Sequence, residues 1–119
     1  MDYRPKTIFC DIDGTLVKHE LPWKNATPKK KLELLSGTIE KFSEWDSKGY
    51  YIILVTGRKE SLRENTERQL SEAGIIYDKL IMGIGGGSRY LINDCKPDGT
   101  KTAFAFSIKR NEGIDKIEI

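Results

Sequence analysis

The sequence predicts a three-layer α/β fold: a mainly parallel sheet of about five strands with helices on both faces. Three observations predict it. Short apolar runs recur along the chain, and charged stretches with helical periodicity separate them. The runs are apolar at successive positions, as in strands covered on both sides. Each of the clearest runs stops at a polar cluster. Strands joined in this way cross over with a right hand, and ligands bind beyond the carboxyl ends of such strands.

The elements follow in order. Thr7-Ile8-Phe9-Cys10 is a buried strand that ends at Asp11-Ile12-Asp13-Gly14-Thr15. Residues 18 to 30 hold Pro22, Asn25, Pro28 and several lysines, and read as loop. From Ser36 the period becomes helical, with Ile39, Phe42 and Trp45 as a core stripe and Gly49 as the stop. Tyr50–Val55 is the second strand, closed by Thr56-Gly57-Arg58. Residues 60 to 73 form a second helix, with Leu62, Thr66, Leu70 and Ala73 on one face and Gly74 at its end. Lys79–Met82 is a third strand, and Gly83-Ile84-Gly85-Gly86-Gly87 is a break. Tyr90-Leu91-Ile92 is a fourth strand ending at Asn93-Asp94, and residues 102 to 108 are a candidate fifth. The tail from Ile114 to Ile119 alternates apolar and charged residues and reads as an edge strand open to pairing with a second copy.

Composition narrows the function classes. The chain has 119 residues, 38% hydrophobic and 32% charged, with a formal net charge of +2. These values describe one globular domain, residues 1 to 119. So small a net charge gives no reason to invoke nucleic acid, and no apolar run is long enough for a membrane span. Cys10 and Cys95 are too few for a disulfide framework. The start of the chain lacks a secretory signal, and the expected compartment is the cytoplasm.

The polar clusters converge at one rim. Asp11 and Asp13 follow the first strand, Thr56 and Arg58 the second, Asp94 and Asp98 the fourth. Four carboxylates so close need a cation, and an all-oxygen set without His or Cys points to Mg²⁺. Mg²⁺ held by carboxylates commonly serves phosphoryl chemistry. One Asp can then be a covalent nucleophile, and a second, two residues on, an acid and base. The Thr56 hydroxyl and the N–H groups of Thr56 and Gly57, with Arg58, can hold phosphoryl oxygens.

These residues resemble the motifs of the haloacid dehalogenase superfamily. Asp11-Ile12-Asp13-Gly14-Thr15 is similar to motif I, Thr56 to motif II, and Asn93-Asp94-Cys95-Lys96-Pro97-Asp98 to the acidic motif IV, with Asn93 where Gly is usual. The resemblance implies a Rossmann-like core, with Asp11 as nucleophile and Asp13 as general acid and base. It implies Mg²⁺ on Asp11, the Asp13 carbonyl and Asp94, with Asp98 at or near the ion. Motif III, a Lys or Arg, has no Lys-Pro pair here. Arg89, delivered by the glycine loop, is preferred over Lys79, and Arg58 and Lys96 are alternatives. The intervals between the motifs leave no room for a cap domain. The chain therefore resembles small capless phosphatases, such as those associated with capsule and surface-polysaccharide synthesis. The implied activity is hydrolysis of a phosphomonoester, in the first place a sugar phosphate. Alternatives are a phosphatase of nucleic-acid ends and a catalytically weak phosphate- or Mg²⁺-binding module.

Other residues have simpler readings. His19 is a loop residue, and the lysines at 24 and 29 to 31 after Trp23 are a solvated cluster. Cys10 and Cys95, beside the acidic motifs, are small hydrophobes before they are redox groups.

Overall fold

A computed structural model describes residues 2 to 20 and 30 to 119. Pro22, Trp23, Lys24, Asn25, Pro28 and Lys29 lie outside the described residues. The order of elements is β1 (Thr7–Asp11), α1 (Thr38–Ser47), β2 (Tyr51–Val55), a 3₁₀ turn (Glu60–Leu62), α2 (Arg63–Ala73) and β3 (Lys79–Ile81). The strands form one parallel sheet in the order β1-β2-β3, with Asp11 level with Val55 and Val55 level with Ile81. All three carboxyl ends therefore meet at one rim.

Both crossovers step in the same direction, and with a right hand that sets α1 and α2 on the same face. The core lies there. Ile8 and Cys10 of β1, Ile52 and Leu54 of β2 and Leu80 of β3 pack with Phe42 and Trp45 of α1 and Leu70 of α2. Phe42 and Trp45 meet at a ring separation of 5.5 Å. On α1 the expected stripe holds at Phe42 and Trp45 but not at Ile39. Ile39 is 38% exposed, and Thr38 is buried in its place, its hydroxyl donating to the Leu16 carbonyl at 2.7 Å. That hydrogen bond ties the start of α1 to the loop after β1.

The other sheet face departs from the expectation of strands covered on both sides. Phe9, Tyr51 and Ile81 share it and are all exposed. Among the described residues the sheet has three strands, where about five were expected. Tyr90-Leu91-Ile92 and residues 102 to 108 lie outside the sheet, in backbone with no regular secondary structure. The tail is no edge strand either. Gly113 fits against Ser36 with no room for a Cβ, the Ile114 N–H donates to the Ser36 carbonyl at 2.9 Å, and Ile114 is buried in the core. A strand needs a partner as well as a pattern, and these segments find none among the described residues. The crossovers hold α1 and α2 and no larger insertion among the described residues. No helix among them is long and apolar enough to cross a membrane.

Candidate active site

The loop after β1 builds the rim. Gly14 has φ 86°, a left-handed conformation in which glycine is unstrained. This lets the chain double back, with the N–H groups of Leu16 and Val17 donating to the Ile12 carbonyl at 2.9 and 3.2 Å. The turn buries Ile12, Leu16 and Val17 and leaves Asp11 and Asp13 at the end of the strand.

Asp11 is the more distinctive of the two. Burial raises its pKa above the ordinary carboxylate value, and the neighbouring Asp13 charge pushes the same way. The Thr15 hydroxyl, donating at 3.1 Å, the Ile12 N–H and the Arg89 charge oppose that shift. Beneath it, burial pushes the Cys10 thiol up to about 12, so it stays protonated and inert. It donates weakly to the Asp11 carbonyl. The small-hydrophobe reading of Cys10 fits this, whereas Cys95 is exposed.

Asp13 is held by Arg58. The guanidinium donates through Nε to one carboxylate oxygen at 2.9 Å and through Nη2 to the other at 2.8 Å. Its remaining nitrogen reaches the Thr66 hydroxyl at 3.2 Å and the Gln69 carbonyl oxygen at 2.7 Å on α2. The Arg58 side chain is only 5% exposed. The structure therefore gives Arg58 to Asp13, where the sequence reading gave it to phosphate. Thr66 and Gln69, polar residues on the buried face of α2, were the signal that a buried donor faces them.

Thr56 is buried at the end of β2, and its hydroxyl accepts the Arg58 N–H at 3.1 Å. Gly57 packs directly on the glycine loop, where a Cβ would stand 2.7 Å from the Gly85 carbonyl. The loop carries Arg89, whose guanidinium donates to the Gly85 and Gly87 carbonyls. Its charge is felt at Asp11. Gly57→Ala should displace the loop and Arg89 with it. Kinetics should show kcat/KM falling about 10²-fold, the usual cost of ångström-scale misplacement, while the circular dichroism spectrum is unchanged.

Asp11, Asp13, Thr56, Gly57, Arg58 and Arg89 thus meet at the rim. Lys79 does not, because it begins β3 and pairs with Ile53, two residues short of the rim. Asp94 and Asp98 are exposed on a hairpin further along the chain. Asp98 accepts the Thr100 N–H, and that local bond lowers its pKa. Lys96 pairs with Asp2 at 3.4 Å, so the hairpin tip lies by the N-terminal segment and not at the rim. Among the described residues no three His, Cys, Asp or Glu side chains gather as a metal site. Mg²⁺ is usually held by one or two carboxylates together with waters and substrate phosphate, so the Asp11 carboxylate fits the ion, with Asp13 turned to Arg58.

A pair of carboxylates two residues apart beyond the first strand of a parallel α/β sheet, with a buried threonine beyond the second, defines a haloacid dehalogenase phosphatase core. Within that superfamily the chain belongs to the family described as the polynucleotide kinase PNKP phosphatase domain, whose model matches residues 5–89. Two solved structures are similar. A chain of a Pnkp1/Rnl/Hen1 complex is 30% identical over 72% of this chain and 30% of its own length, with a TM-score of 0.57. A chain of the Pnkp1/Rnl/Hen1 RNA repair complex is 32% identical over 66% and 25%, with a TM-score of 0.55. This chain thus spans under a third of those proteins. A structural-genomics target from Vibrio cholerae shares the fold, at 18% identity over 82% of this chain and 79% of its own, with a TM-score of 0.52. No curated protein matches significantly.

Proposed function

We propose that this chain is a phosphomonoester hydrolase working through an aspartyl-phosphate. The observation that carries the proposal is Asp11, a carboxylate at the rim that accepts the Thr15 hydroxyl, with a second carboxylate and an arginine charge beside it. An Asp11 oxygen attacks phosphorus as the bond to the leaving oxygen breaks, and Asp13 gives that oxygen a proton. Water then attacks the phosphorus and yields its proton to Asp13, the acyl-phosphate bond breaks, and inorganic phosphate leaves. Arg58 aims the Asp13 carboxylate. The two bonds from Arg58 leave other lone-pair positions on the Asp13 carboxyl group, and there it holds the proton that it gives to the leaving oxygen and takes back from water. Thr56 and the Gly57 N–H hold phosphoryl oxygens, and Arg89 offsets their charge.

The substrate in this reading is a small phosphorylated metabolite such as a sugar phosphate, with Mg²⁺ as cofactor. A second reading, a phosphorylated nucleic-acid end, is favoured by the family match and by the likeness to RNA-repair proteins. An assay on p-nitrophenyl phosphate, with Mg²⁺ and with EDTA, tests the reaction. Sugar phosphates and a 3′-phosphorylated oligonucleotide, run side by side, separate the two substrate classes. Turnover is expected, and a folded protein that hydrolyses none of these overturns the proposal.

A further inference from the structure

The loop that carries Asp11 and Asp13 is clasped by a segment near the far end of the chain. Asn111 makes the clasp. Its N–H donates to the Gly14 carbonyl at 2.8 Å, and its side-chain oxygen accepts the His19 N–H at 2.8 Å. It has φ 66° and is the one non-glycine residue with a positive φ among the described residues. Asparagine tolerates that conformation better than most side chains do. The residues that follow are anchored too, through Gly113 on Ser36 and Ile114 in the core. Arg110, beside Asn111, therefore leaves the backbone at a fixed point.

Its side chain lies over the turn. The Arg110 Cγ stands 3.1 Å, and its Cδ and Nε 3.7 Å, from a Cβ built on Gly14. Gly14 follows Asp13 directly and is three residues from Asp11. Its Cα is then at most about 11 Å from that of Asp11. Arg110 is exposed and makes no ion pair or hydrogen bond among the described residues. The other two arginines of the rim differ in this respect. Arg58 is committed to Asp13, Thr66 and Gln69, and Arg89 donates to the Gly85 and Gly87 carbonyls. Of the three, Arg110 is the one with all five N–H donors open. A planar guanidinium fork of this kind matches the oxygens of a phosphate.

The position decides which phosphate. The transferred phosphoryl group belongs to Asp11, Thr56, Gly57 and Arg89. The leaving oxygen belongs to Asp13, and Arg110 stands on the residue after Asp13. We propose that Arg110 is a specificity-determining residue that binds a second phosphate, carried by the leaving group. The enzyme then favours a compound with two phosphates over the same compound with one. The proposal rests on the phosphatase reading above, which puts the leaving group at Asp13. The second phosphate has the same chemistry on a nucleoside or on a sugar.

Matched substrates test it: adenosine 3′-phosphate against adenosine 3′,5′-bisphosphate, and fructose 1-phosphate against fructose 1,6-bisphosphate. In at least one pair, wild-type kcat/KM should be about tenfold higher for the bisphosphate, the scale of a hydrogen bond to a charged group. The pair that shows it tells whether a nucleoside or a sugar carries the second phosphate. Arg110→Met keeps the stem on Gly14 and removes the charge. It should lower the bisphosphate-to-monophosphate ratio by about tenfold, and Arg110→Lys should keep part of that ratio. Wild-type turnover with no preference in either pair overturns the proposal. So does an unchanged ratio in Arg110→Met, including an equal loss on both substrates, which makes Arg110 a clamp on the turn. A wild type that hydrolyses none of the four compounds overturns the phosphatase reading instead. Calorimetric binding of the same compounds then decides the subsite. A bisphosphate that binds tighter than its monophosphate, and loses that margin in Arg110→Met, supports it, and equal binding overturns it.

Discussion

Asp11→Asn should lower turnover by about 10⁴-fold, the scale seen when a member of a catalytic unit is removed, and leave the fold intact. The amide keeps the shape of the side chain and its bond from Thr15, but it cannot form an acyl-phosphate. Stability should not suffer. Burial raises the Asp11 pKa in the folded protein, so the folded state binds this proton more tightly than the unfolded state. That contribution to stability is complete below the unfolded pKa and is lost as pH rises through the folded one. The ionised form is the one that burial penalises, and the amide carries no charge, so Asp11→Asn should melt no lower than wild type. The same shift predicts the pH profile. Attack needs the ionised form, so the acid limb of kcat/KM should lie above the ordinary Asp value of about 3.9. Arg89→Ala should move it higher still, because the Arg89 charge holds that pKa down. A limb at or below the ordinary value, or a variant with full activity, removes Asp11 from the mechanism.

Arg58→Leu should be the most damaging single change to stability. The guanidinium is buried and makes bonds to Asp13, Thr66 and Gln69. Deleting one partner of a buried ion pair leaves an uncompensated charge and costs about 3–5 kcal/mol. In a domain of this size that lowers Tm by more than about 10 °C. Asp13→Asn added to Arg58→Leu removes the stranded charge and should recover part of the loss, which a double-mutant cycle measures. Independent, additive losses would mean that the pair is not a structural unit. Activity should fall in both variants, since Arg58 sets the direction of the Asp13 carboxylate.

The parts that were legible in the sequence are local. The strands at Thr7, Tyr51 and Lys79 and the two helices follow from runs of a few residues and their stops. The rim follows from the rule that polar clusters cap parallel strands. The Arg58–Asp13 pair was not legible, because the partners are far apart in sequence and the clue, Thr66 and Gln69, lies on another element. Thr38 stands in the core where Ile39 was expected, and its hydroxyl bonds the Leu16 carbonyl, a partner on another element. The strand pattern of Tyr90-Leu91-Ile92 is real, but pairing is a non-local event that no pattern supplies. Motif resemblance placed Asp94 and Asp98 with Asp11, whereas the structure does not bring them together.

The two cysteines give the protein a chemical asymmetry. Cys10 is sealed in the core with its thiol protonated, and Cys95 stands in solvent at the neck of the hairpin turn. A maleimide should therefore attach one equivalent per chain, at Cys95, with no engineered residue. A fluorescent label there reports the surroundings of the hairpin with no change to the sequence.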